Sequence, residues 1–135
     1  MDELRVARLA DAETVSFGPA SHYRPLLGAD DGSMPVRTGI QVAEPGYAAA
    51  VHSHPYMEIL LILEGEAEAW IDGREEEKVR LGPGDSVAIP ANVPHSFRTA
   101  GDRPMKLLGT HLSPNRIVNY KDRETDAHGY PAPGS

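Results

Sequence analysis

An all-β fold, with antiparallel strands packed as a sandwich or closed as a barrel, is what the order of residues predicts. Three observations carry it. After Pro35, apolar and polar residues alternate with the two-residue period of strand faces. Turn signals recur about every ten residues. Thirteen glycines and twelve prolines are scattered rather than clustered, which suits many short elements joined by tight turns.

Taken in order, the first dozen residues, with Leu4 and Leu9, give only a faint helical periodicity, and residues 1–34 are read as a segment packing on the barrel. The barrel itself is placed over 35–113. Val36, Thr38, Ile40 and Val42 share one face of its first strand, which ends at Glu44-Pro45-Gly46. Met57 to Leu63 reads as the central strand, followed by a turn at Glu64-Gly65. Ala67, Ala69 and Ile71 then alternate with Glu66, Glu68 and Trp70. Asp72-Gly73 is the strongest hairpin signal in the chain, with Lys78 to Leu81 pairing back. Gly82 to Asp85 forms the next turn. Ser86 to Pro90, His95 to Ala100 and Met105 to Leu112 complete the set. The polar segment 114–135 is expected to be a partly flexible tail, disordered or draped over a neighbour.

The bulk properties exclude several function classes. At 135 residues the chain is a comfortable single domain, and its 40% hydrophobic and 24% charged content is ordinary for a globular protein. A net charge of −7 with no basic stripe argues against nucleic acid and anionic membrane as partners. No apolar run approaches the roughly eighteen residues needed to span a bilayer. The acidic opening "MDELRVARLADAE" lacks the apolar core of a signal peptide, so a cytoplasmic location is expected. Without cysteine, any metal must be held by nitrogen and oxygen.

The stretch "VHSHPYMEILLILEG" concentrates the chemistry. His52 and His54, two apart on a strand, project to the same side and can meet one ion at about 2.0–2.2 Å. Pro55 cannot donate a ladder hydrogen bond, so the chain must bend there before re-entering the sheet at Glu58. Glu58 shares its face with Leu60 and Ile62. An ionised carboxylate facing a greasy interior is very costly unless it is paired or bound to a cation.

These residues resemble the first signature of the cupin superfamily. Gly46, five residues, His52-x-His54, three residues, Glu58, six residues and Gly65 match it at every defined position. A second signature follows with departures: Gly84, five residues, Pro90, then Asn92 where the family usually has glycine, His95, and Thr99 where it often has asparagine. Asn92 tolerates left-handed backbone, so that departure is mild.

The resemblance covers about Pro35 to Leu112. It implies a jelly-roll barrel (a double-stranded β-helix of two antiparallel sheets) with His52, His54, Glu58 and His95 as ligands of one divalent transition metal per chain. The three-imidazole, one-carboxylate set suits Fe, Mn or Ni, with Co or Zn as further options. Its implied activities are dioxygenase and isomerase, lyase or cyclase chemistry on a small oxygenated organic substrate.

Beyond the ligands, His111 shares a face with Leu107 and Gly109 and is the candidate general acid or base, the other reading being a hydrogen-bonded or surface histidine. Arg37, Gln41 and Tyr56 are candidate substrate-pocket residues, with Tyr23 a lesser one. His22 and His128 are read as exposed. A non-catalytic ligand-binding or sensing module and a purely structural metal site are the rival functions. Ile59, Leu61 and Leu63 make an apolar face pointing away from the barrel interior, and the family habit of pairing through this sheet implies a homodimer.

Overall fold

A computed structural model of the chain describes residues 3–123, 125 and 130. Eleven strands make up nearly all of its regular structure among these residues. They are β1 (Val15–Ser16), β2 (Ser21–Pro25), β3 (Arg37–Ala43), β4 (His52–Ser53), β5 (Glu58–Glu64), β6 (Glu66–Ile71), β7 (Val79–Leu81), β8 (Ser86–Ile89), β9 (His95–Ala100), β10 (Met105–His111) and β11 (Asn119–Tyr120). One sheet has the order β1-β2-β3-β10-β5-β8 and the other β11-β4-β9-β6-β7, with antiparallel pairing throughout. The expected all-β architecture of two antiparallel sheets is therefore present. No helix among the described residues is long and apolar enough to cross a membrane.

The faint helical periodicity at the start yields only a 3-10 turn, Leu9–Asp11. Leu4 and Val6 are exposed, so no apolar face is buried there to hold a longer helix. Instead β1 and β2 extend the first sheet: β2 pairs with β3 from Ser21↔Ala43 to Pro25↔Gly39. The hairpin at Asp72-Gly73 forms, with Ala67 opposite Leu81 and Ala69 opposite Val79, but a 3-10 turn at Glu75–Glu77 lengthens its loop.

The core lies between the sheets. Leu60 and Ile62 of β5, Met105 and Leu107 of β10, Phe97 of β9, and Ala67 and Ala69 of β6 form one buried cluster. Inward and outward residues alternate as the pleat demands. On β3 the face turned into the barrel is Gly39, Gln41 and Ala43, small and polar residues that leave space where bulkier side chains would fill it.

Two backbone positions fix how the halves meet. Gly65, between β5 and β6, has φ +72°, and a Cβ there would lie 2.3 Å from the Pro104 carbonyl oxygen, so only glycine fits. Asn92 is the one non-glycine residue with positive φ among those described, at 65°, in keeping with asparagine's tolerance of that region. Its N–H donates to the His54 carbonyl at 2.6 Å, tying the loop before β9 to the bend after β4.

Candidate metal centre

The sheet pairing delivers the site. β4 lies beside β9 with His52 directly opposite His95. Beyond His54 the chain bends at Pro55 and crosses to the other sheet, where Glu58 of β5 stands opposite His111 of β10. Three histidines from one sheet thus face a carboxylate and a fourth histidine from the other.

One potential ligand atom from each of His52, His54, Glu58 and His95 lies within 4.8 Å of the other three. His54 Nε2 is 3.2 Å and His95 Nε2 3.5 Å from Glu58 Oε1. Adjacent ligands on an octahedral ion with bonds of about 2.1 Å are separated by about 3 Å, so these spacings need little contraction.

The hydrogen bonds of the rings decide what the cluster offers. His52 Nδ1 is 2.7 Å from the Ala50 carbonyl, His54 Nδ1 2.8 Å from that of Ile117, and His95 Nδ1 2.9 Å from that of Val93. A carbonyl only accepts, so each Nδ1 carries a proton, and in the neutral ring, the form that binds a metal, the lone pair is left on Nε2. In that form three nitrogen lone pairs and an anionic oxygen converge. His95 Nε2 is buried and finds no hydrogen-bond partner among the described residues. Such a set of acceptors is mutually repulsive unless a cation sits among them, and nitrogen donors anchored through the second ring nitrogen are the usual metal-binding arrangement. The residues fit a divalent transition metal.

His111 plays a different part. Its Nε2 donates to Glu58 Oε2 at 3.0 Å, and its Nδ1 lies 2.5 Å from the Tyr56 hydroxyl. Tyr56 also contacts the Ile117 carbonyl at 3.1 Å and stacks on the His54 ring at 5.2 Å between centroids. Glu58 therefore turns one oxygen to His54 and His95 and the other to His111.

Burial pushes His52 down to about 3, with His95 beside it adding to the effect. Burial likewise holds His111 below the usual histidine range, against the pull of Glu58. For Glu58, burial acts upward, but the N–H of His111 at Oε2 holds it well below the ordinary carboxylate range. Burial raises Tyr56 to about 12, so its hydroxyl is neutral.

A cavity of about 160 Å³ opens onto His52, His54, Glu58 and His111. Gln41 lines it, its amide Nε2 donating to Ser21 Oγ at 3.0 Å. Tyr23 lines it too, lying over Gly39 so closely that a Cβ there would meet the hydroxyl. Arg37 lies elsewhere: its guanidinium bonds Asp30 and the Pro114 carbonyl, both at 2.8 Å, and it borders a separate surface depression. Tyr56 sits behind His111 rather than on the cavity wall. His22 is half-buried on β2, and His128 lies outside the described residues.

Sequence reasoning missed Arg116 and Tyr120, which line the cavity from the segment read as a tail. Val118 between them is buried, and β11 pairs Tyr120 with His52. The alternation Arg116, Val118, Tyr120 was the available signal.

Residues 39–111 match the cupin domain family. The chain belongs to it. This cupin is 49% identical over 57 residues to dimethylsulfoniopropionate lyase DddQ of Ruegeria pomeroyi, a match covering 42% of this chain and 27% of that protein. It is 44% identical over 48 residues to quercetin 2,3-dioxygenase of Bacillus subtilis, covering 35% of this chain and 13% of that one. The matched part is thus a minor fraction of either relative. Among solved structures, the polyketide cyclase RemF of Streptomyces resistomycificus superposes with a TM-score of 0.71 at 18% identity, covering 95% of this chain and 91% of that one. That likeness is one of fold.

Proposed function

We propose that this cupin is a metal-dependent enzyme of small-molecule metabolism, acting on a small oxygenated organic substrate by dioxygenase, isomerase, lyase or cyclase chemistry. One divalent transition metal, with Fe, Mn or Ni preferred, is held by His52, His54, Glu58 and His95. The observation that carries this reading is that one potential ligand atom from each of His52, His54, Glu58 and His95 lies within 4.8 Å of the others, each ring being locked by a carbonyl at its Nδ1. The relatives named as a lyase and a dioxygenase support the class of chemistry.

When bound, the metal supplies Lewis acidity or redox capacity at the cavity wall. The chain's own residues do the rest. Tyr56 and Ile117 fix the His111 and His54 rings. His111 holds Glu58 in place and exchanges a proton with a bound molecule only by releasing one of its two present partners. Leu60 and Leu107 keep part of the cavity wall dry.

Metal analysis of protein purified without chelator or nickel resin tests the reading, with one ion per chain expected. No bound ion, even after addition of Fe(II) and Mn(II), would overturn it. Oxygen uptake by the loaded protein with small hydroxy and keto acids then separates oxygenase from non-redox chemistry, and unchanged recovery of every acid offered would favour a binding module.

Homodimerisation is part of the proposal. On the outer face of the first sheet Leu61 stands opposite Leu108, both half-buried, with Met57 and Leu63 exposed at 40% and 39%. Such an apolar row favours a partner. Sedimentation at micromolar concentration should show a dimer, and Leu61→Glu with Leu108→Glu a monomer; a wild-type monomer would refute the pairing.

A further inference from the structure

The cavity holds a charged group that the metal centre does not use. Arg116 precedes Ile117, whose carbonyl accepts from His54, and its side chain lines the cavity. Its Nε and Nη1 are buried and have no hydrogen-bond partner among the described residues. The guanidinium reaches the Tyr120 hydroxyl and otherwise rests on aromatic faces, 4.5 Å from the Tyr130 ring centroid, 5.6 Å from Phe17 and 5.8 Å from Tyr23. Ring faces attract the charge without accepting its N–H bonds in the plane of the group. A buried guanidinium donor left unmatched is costly, and its natural complement is a carboxylate.

The charge inventory points the same way. The charged residues lining the cavity are Glu58, Arg116 and Arg123, two cations against one anion, in a chain of net charge −7. A divalent ion on the histidines and Glu58 would make the cavity more positive still. An otherwise acidic protein thus concentrates positive charge where a ligand enters, which attracts anions and disfavours cations. Arg37, the arginine singled out in the sequence, is already paired with Asp30 and is not available.

We propose that Arg116 anchors a carboxylate group of the molecule bound in the cavity, so that the substrate class is a small organic acid. This narrows the proposed function and rests on it only for the reaction, because the anion contact itself needs no metal.

The test measures binding of two matched pairs, pyruvate against pyruvamide and benzoate against benzamide, by calorimetry, to metal-free and Mn(II)-loaded protein. Wild-type protein should prefer the acid of at least one pair by about tenfold or more in both forms. Arg116→Gln should lose that preference while its amide affinity and melting temperature stay near wild type. Arg116→Lys should keep part of it. Equal affinity for acid and amide in wild type, no binding of either acid at millimolar concentration, or an undiminished preference in Arg116→Gln would overturn the inference. A protein that takes up Mn(II) yet shows one of these results refutes the anion anchor alone. One that takes up no metal yet shows the Arg116-dependent preference refutes the metal centre alone.

Discussion

Replacing Glu58 with glutamine is expected to leave a folded protein that no longer takes up metal. The substitution preserves the shape of the side chain and removes its charge. Three neutral imidazoles remain, and the amide nitrogen can donate to the His54 or His95 lone pair in place of an ion. Affinity should fall by on the order of 100-fold or more, because losing even an outer partner of a ligand typically costs 10–100-fold. In wild type a ligand at a thousand times its Kd adds about 4 kcal/mol of stability, which for a domain of this size raises Tm by on the order of 10 °C. The variant should show no such rise with Mn(II) or Fe(II). Its far-UV spectrum should match wild type, since the packing of Ile62, Met105 and Leu107 does not depend on the carboxylate. Metal content after desalting, read beside the melting curves, checks both halves. A variant that binds metal as wild type does would mean that Glu58 is not a ligand. One that fails to fold would point to a structural role for the ion.

The strands were legible because burial imposes a period of two wherever a sheet has one face on the core; β10 obeys it over its whole length, and β5 and β6 obey it up to their last residues. The four convergent groups were legible for a different reason. His52 and His54 announce themselves by spacing, and Glu58 by sitting on the inward face of an otherwise apolar strand. His95 could be placed with them only through the family resemblance, since nothing local shows that β9 lies against β4. What stayed hidden depends on long-range placement. Arg37 and Arg116 are chemically identical in sequence, and only the fold shows that Asp30 occupies the first while aromatic rings cradle the second. Tyr56, a candidate pocket residue in the sequence, follows the bend at Pro55 and sits behind His111, with its hydroxyl at His111 Nδ1. Residues 114–120 read as tail because their polar composition outweighs the single buried Val118, although the Ile117 carbonyl within them orients a metal-facing histidine.

The metal-free protein should lose stability as pH falls, and the sign of that slope tests the ring assignments themselves. His52 is held at about 3 in the folded chain against 6.5 in an ordinary environment. Between those values the unfolded chain binds a proton that the folded chain does not, so unfolding is favoured by about 1.4 kcal/mol for each unit of acidification through this group alone. His111, also held low, acts in the same direction. Glu58 contributes stability above the ordinary glutamate value of 4.5, lost as pH drops below it toward its depressed folded value. Urea midpoints should therefore be level above pH 7, decline below about 6.5 and steepen below 4.5. In the metal-loaded protein the decline should be sharper, because protons compete with the ion for three imidazoles. His52→Asn should flatten the metal-free slope between pH 6.5 and 4.5. Stability that rises on acidification toward pH 5 would mean that the folded rings gain protons and pair with Glu58 as cations. The cluster would then be a self-sufficient ion-pair network with no need of a metal, and the case for chemistry at this centre would fail.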